Sequence, residues 1–170
     1  VVKLRPASKY LRDANLIKTG AIAYQENDYL TGINHLLQLA SIQRKPLVIC
    51  TAIGTNQGSH DGRTIVERYL EEASTFEDII FVLSGGNEAN QGHHYSGTVT
   101  QNSTSLFELN VGADERGFVM HLWSNAPDKL SVSIRTPLGG TTGKVPINAI
   151  QVQEYTFPLE NAKVEVQYIS

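Results

Sequence analysis

Two continuous apolar runs, 47–53 (LVICTAI) and 78–83 (DIIFVL), constrain this chain more than any other feature. Both are rich in β-branched residues and neither alternates apolar with polar, the pattern of parallel strands covered on both faces. Parallel strands need a long crossover, usually helical, and a helical pattern lies between the two runs. Thr64 opens it, and Glu67 three positions later completes a capping box. Ile65, Tyr69 and Ala73 share one face of that helix, flanked by Val66 and Leu70. A second amphipathic segment precedes the first run. Asn27 or Asp28 can cap it, Leu30, Ile33, Leu37 and Ala40 recur at helical spacing with Leu36 beside them, and it runs to about Arg44 before Pro46 marks the break. Residues 7–27 are irregular or weakly helical. With the short apolar run 1–4 (VVKL), closed by Arg5-Pro6, residues 1–96 read as β-α-β-α-β. That is an α/β arrangement with a partial parallel sheet, flanking helices and right-handed crossovers. Three strands are few for such a sheet, so the expectation is a sheet lacking strands at both ends.

The character changes near residue 97, and residues 97–170 read as strands and turns only. Candidate strands are 105–111, 117–123, 129–135, 150–157 and 162–169. Alternation is clear at Leu130, Val132 and Ile134, and again at Val164, Val166 and Tyr168. Turn signals separate them: Gly112-Ala113-Asp114, Asn125-Ala126-Pro127-Asp128, and Gly139-Gly140-Thr141-Thr142-Gly143. Short strands at this spacing suggest a β-sandwich or jelly-roll-like unit, which need not be complete.

Composition excludes several function classes. With 41% hydrophobic and 18% charged residues the chain is globular and soluble in character. A net charge of −3 offers no basic surface for nucleic acid or an anionic membrane. No apolar run approaches the ~20 residues of a membrane span. The N-terminus shows no signal-peptide pattern and falls inside an apolar run, as in an internal or processed piece. The single cysteine, Cys50, forms no disulfide framework.

Ligands of an open parallel sheet bind beyond the carboxyl ends of its strands. Two segments qualify: Ala52-Ile53-Gly54-Thr55-Asn56 after one run, and Ser84-Gly85-Gly86-Asn87-Glu88 after the other. Glycines there allow another chain to approach the backbone closely. The amide of Asn87 could donate to a developing oxyanion, an interaction whose loss costs about 2.7–4 kcal/mol of transition-state stabilisation. Gly-Gly-Asn is also an ordinary turn composition, and Asn87 as a turn residue tolerating positive φ stays open at this point.

The run V-V-K-L, helix, L-V-I-C-T-A-I-G, helix, I-I-F-V-L-S-G-G-N-E resembles the subtilisin-like serine proteases (subtilases). The stretches Leu4-Arg5-Pro6-Ala7, Ala23-Tyr24-Gln25-Glu26-Asn27-Asp28, Gly54-Thr55-Asn56-Gln57-Gly58-Ser59-His60-Asp61-Gly62 and His94-Tyr95-Ser96-Gly97 are similar to the bacterial, clostridial subtilases related to spore germination proteases. The resemblance covers residues 1–97 by motif and the remainder by position and strand pattern. It implies an incomplete subtilisin-like fold, with a jelly-roll insertion in residues 97–170. It places Ala52, Ile53 and Gly54 on a substrate-binding strand and Asn87 in the oxyanion hole, with Gly85 and Gly86 beside the substrate. The family's D-[ST]-G, H-G-T-H and G-T-S-x-A motifs are absent, so the implied Asp, His and Ser lie outside these residues. Without a base beside a hydroxyl, the chain by itself is expected to hydrolyse nothing. Its implied partners are a peptide or protein substrate and the rest of the parent protease, with no cofactor and no metal. Exposed sheet edges would favour a homodimer of the isolated chain. A pseudoprotease or regulatory binding module of the same fold is the alternative, because the deciding residues are not in this sequence.

Other constellations are weaker. Cys50 with His35 or His60 could suggest a thiol nucleophile, but a cysteine inside an apolar strand reads as inert core. His60-Asp61 reads as a solvated loop, with 56–60 bordering the substrate groove as the minor reading. His93 and His94 with His121 lack zinc-site spacing. Glu67, Glu71 and Glu72 read as a solvated helix face. Trp123 and Phe118 read as strand core rather than a sugar-stacking platform, which also places a carbohydrate-binding jelly roll low.

Overall fold

A computed structural model describes residues 1–113, 115, 117–147 and 151–169. Three expected positions lie outside the described residues: Asp114 of the first turn signal, Ile150 at the start of a candidate strand, and Ser170 after the last one. The elements are α1 (Lys9–Ala14), α2 (Glu26–Gln43), β1 (Leu47–Thr51), α3 (Ile65–Ser74), β2 (Ile79–Leu83), β3 (Gln153–Phe157) and β4 (Ala162–Val166). Contacts divide the chain into two units, Val1–His121 and the residues from Leu122 onward. No described helix is long and apolar enough to cross a membrane.

In the first unit β1 and β2 pair in parallel, in register from Leu47↔Ile79 to Thr51↔Leu83. Backbone bonds extend the pairing at both ends, Leu47 N to Asp78 O at 2.8 Å and Ser84 N to Thr51 O at 3.2 Å. Helix α3 begins with the expected box: Thr64 Oγ1 accepts from Glu67 N at 3.3 Å, and Glu67 Oε2 accepts from Thr64 N at 2.9 Å and from the Thr64 hydroxyl at 2.7 Å. Its covered face is Val66, Tyr69, Leu70 and Ala73, while Ile65, the first helical residue, is exposed.

Helix α2 starts before either expected cap. Gln25 occupies the N-cap without a side-chain capping bond, its Oε1 accepting from Ser8 N at 3.1 Å, and Asp28 instead receives both Nε and Nη2 of Arg5, at 3.2 and 2.9 Å. That carboxylate is engaged elsewhere and still complements the helix dipole from the first turn. Arg44 ends the helix in the left-handed region (φ 51°), and the residue before Pro46 is poorly suited to continue it. Of the predicted apolar stripe Ile33 is fully buried, and Leu30, Leu36, Leu37 and Ala40 are half-buried.

Run 1–4 forms no strand; Val2 and Leu4 instead lie against Gly32 of α2, where an added Cβ would meet Val2 Cγ1 at 3.1 Å and Leu4 Cδ2 at 3.4 Å. The central strands are also not covered on both faces. Ile49 and Thr51 are buried, and Tyr29 of α2 donates its hydroxyl to Thr51 Oγ1 at 3.3 Å. Their neighbours Val48, Cys50, Ile80 and Val82 are exposed. Both α2 and α3 line one groove that Ile79 also borders, and α2 packs on β1 and α3 on β2. The open face of both strands lies opposite, so the helices lie against the same side of the sheet. The described residues supply no second layer, and the inert-core reading of Cys50 fails for that reason.

Residues 105–111 and 117–123 fall outside helices and strands, although Tyr95 and Phe107 stack at 4.9 Å between centroids. Phe118 and Trp123, expected as strand core, are about half exposed. In the second unit, 129–135 contributes one antiparallel bridge, Arg135↔Thr141, closed around the predicted Gly139-Gly140 turn. Thr142 N to Ile134 O at 3.0 Å and Val145 N to Val132 O at 2.8 Å continue it irregularly. β3 and β4 form an antiparallel hairpin, Gln153↔Val166 to Phe157↔Ala162. Tyr168 ties the two parts together. Its hydroxyl accepts from Val132 N at 3.3 Å and donates to the carbonyl of Val145, a fully buried residue, at 3.2 Å. Alternation in the sequence fixes which side chains share a face but not whether a ladder partner exists. The structure is therefore mixed helix and strand with small parallel and antiparallel sheets, compatible with an α/β fold.

Candidate functional site

Parallel pairing puts the carboxyl ends of β1 and β2 side by side, and the two loops that leave them carry the candidate site residues. The first loop carries Ala52, Ile53, Gly54 and Asn56. All are exposed, and an added Cβ at Gly54 would meet nothing within 4 Å. The second carries Ser84, Gly85, Gly86, Asn87 and Glu88, likewise exposed. Gly85 and Gly86 face open space, and Gly86 needs its lack of a side chain because its φ is +77°. Among the described residues the Asn87 side chain makes no hydrogen bond, so its amide is available to an incoming group.

The two loops are joined. Asn56 Nδ2 donates to Glu88 Oε2 at 2.6 Å, across 32 residues of sequence, and His93 Nδ1 sits 2.9 Å from the same oxygen. His60 Nε2 lies 3.3 Å from the Asn56 carbonyl, and the His60 and His94 rings approach to 5.4 Å between centroids, tilted by 44°. Gln57 Nε2 reaches Asn15 Oδ1 at the end of α1, 3.2 Å away.

The electrostatics follow from these contacts. The hydrogen bond from Asn56, and after it the one from His93 with its charge, holds the Glu88 carboxyl below the usual glutamate range. Asp61 is held low chiefly by the Ser59 hydroxyl and also by the backbone N–H of Arg63. One nitrogen of His60 faces a carbonyl and one of His93 a carboxylate, and among the described residues neither ring is bonded to a hydroxyl or thiol nucleophile. Among the described residues no three His, Cys, Asp or Glu side chains group as metal ligands would. What the candidate site offers is exposed backbone, a free amide donor and a hydrogen-bonded rim.

Ala52, Ile53, Gly54, Gly85, Gly86 and Asn87, expected from the sequence as site residues, are brought by the structure to one end of the sheet. Sequence reasoning missed the link from Asn56 to Glu88 and His93, and it weighed His93-His94 only as metal ligands. No local pattern signals a contact between residues that distant in sequence.

No family model matches the chain, and no curated protein does. Among solved structures, that of the CspB protease of Clostridium perfringens is similar, with a TM-score of 0.64 and 24% sequence identity over 81% of this chain. The chain spans 29% of that protease's length. At this identity the likeness is one of fold: the chain shares its fold with part of a clostridial protease.

Proposed function

We propose that this chain is the substrate-strand and oxyanion-donor segment of a subtilisin-like serine endopeptidase, and that residues 97–170 are its jelly-roll-like insertion. An extended peptide lies along Ala52, Ile53 and Gly54 and pairs through backbone hydrogen bonds. Gly85 and Gly86 leave room for it. The side-chain amide of Asn87 donates to the oxygen of the tetrahedral intermediate, where charge develops. The hydroxyl nucleophile and the imidazole that takes its proton come from sequence outside these 170 residues. The observation that carries this reading is the free, exposed amide of Asn87 beside open glycine backbone at the carboxyl end of the parallel pair. The shared fold with part of a protease supports it.

The chain alone is expected to hydrolyse no peptide; activity on a generic peptide substrate that survives repurification would refute the proposal. In the longer protein that carries this segment, Asn87→Ala lowers kcat by about 10²–10³-fold with KM nearly unchanged. If that longer protein hydrolyses nothing with Asn87 intact, the enzyme reading fails and a binding module of the same fold takes its place.

A further inference from the structure

Asn87 has no side-chain partner of its own among the described residues, and it follows two glycines with open space around them, one at positive φ. A catalytic donor must be held within a fraction of an ångström of its working position. Such a segment does not supply that stiffness itself, because glycine is the most permissive backbone unit. The stiffness has to come from the anchors on either side. On the N-terminal side it is Ser84 N bonded to Thr51 O, the last link of the parallel pair. On the C-terminal side it is the neighbouring Glu88. Its carboxylate is gripped at 2.6 Å by Asn56 and at 2.9 Å by His93, while its carbonyl accepts from Gln91 N at 3.0 Å. Asn56 is itself held, because its carbonyl faces His60 Nε2 and the His60 ring meets His94.

We infer that Glu88 is the positioning residue for Asn87, and that the Asn56–Glu88–His93 clasp holds the loop after β2 against the loop after β1. The clasp brackets the Gly85-Gly86-Asn87 arm between two fixed points. It also couples the arm to the segment 52–54, so the donor and the peptide-pairing backbone keep their separation. Asn56 is thereby a member of the site although it touches no reacting atom. This rests on the functional reading above for its purpose, but not for its test.

The test is backbone ¹⁵N relaxation on the 170-residue chain, comparing wild type with Asn56→Ala, Glu88→Ala and Glu88→Gln. Expected for wild type is an order parameter at Gly86 and Asn87 near the rigid value of about 0.85, falling below about 0.6 in Asn56→Ala and Glu88→Ala. Residues of α3 and the thermal midpoint should not change, which separates positioning from general stability. Glu88→Gln keeps an oxygen for the Asn56 amide and restores most of the order. Unchanged order at Gly86 and Asn87 in both alanine variants overturns the clasp, as does equal loosening throughout α3. Should Glu88→Ala fail to fold, Asn56→Ala decides alone, since it removes only an exposed side chain. The relaxation result stands whether or not the longer protein proves to be a protease, so loss of the functional reading and loss of the clasp are told apart.

Discussion

The capping box of α3 lends itself to a quantitative test, because each of its bonds is visible and one member titrates. Thr64 Oγ1 accepts from Glu67 N at 3.3 Å, near the long end for such a bond, so Thr64→Ala should cost about 0.5–1 kcal/mol, the lower half of the usual N-cap range. Glu67→Gln keeps an oxygen for Thr64 N but removes a charge favourable at a helix N-terminus, about 0.3–1 kcal/mol. The two substitutions share the Thr64–Glu67 contact, so the double variant should lose less than the sum, with a coupling of about 0.5 kcal/mol. Chemical denaturation at fixed pH reads all four corners of the cycle. The pH dependence gives an independent check. The Thr64 hydroxyl, then its backbone N–H, holds the Glu67 carboxyl below the usual glutamate range in the folded chain. A depressed folded value means that the charge stabilises fully above the unfolded value of about 4.3 and ceases to do so as pH falls through the folded one. The gap between wild type and Glu67→Gln should stay constant from neutral pH to about 5 and then narrow below about 4. A gap that is unchanged or wider at the acid end, or strict additivity in the cycle, would refute the reasoning.

Further outcomes are expected elsewhere in the chain. Ile49→Ala, at a position 5% exposed on the covered face of β1, should cost about 2–5 kcal/mol by denaturant titration, whereas Val48→Ala on the open face should cost less than a quarter of that. Gly140→Ala should destabilise the second unit by about 1–3 kcal/mol, because the new Cβ would sit 2.7 Å from Phe157 Cδ1 and 2.8 Å from Thr136 Oγ1; near-UV circular dichroism and denaturation together would report it. Cys50, exposed on the open face of β1, should react with one equivalent of a thiol reagent in the folded chain. Reaction only after unfolding would restore the core reading rejected above.

The candidate site was legible in part for a specific reason. Glycines and an asparagine directly after an apolar strand run are a local signal, so Gly54, Gly85, Gly86 and Asn87 stood out as candidates, while the oxyanion role of Asn87 came only from the resemblance to subtilases. The same segments hold Asn56 and Glu88, but their pairing could not be read from them, because a hydrogen bond across 32 residues depends on which strands become adjacent and in what register. The same divide separates the helix ends. Thr64 and Glu67 are three residues apart and make the box that the pattern demands. Asp28 looked like a cap for α2 but is taken by Arg5, a partner 23 residues away.

By itself, then, the sequence determined periodicity: where helices and extended runs lie, which residues share a face, and that 47–53 and 78–83 should pair in parallel through a helical crossover. Those properties are set by φ/ψ preferences and side-chain spacing within a few residues. Only the tertiary structure decided coverage and partnership. It left Val48, Cys50, Ile80 and Val82 open on one side of the sheet. It gave 105–111 and 117–123 no place in a strand, and it joined Asn56 to Glu88. An apolar residue records a tendency to leave water, and an alternating run records a face. Neither records what will lie against it, since that is fixed by the summed packing of segments far apart in the chain.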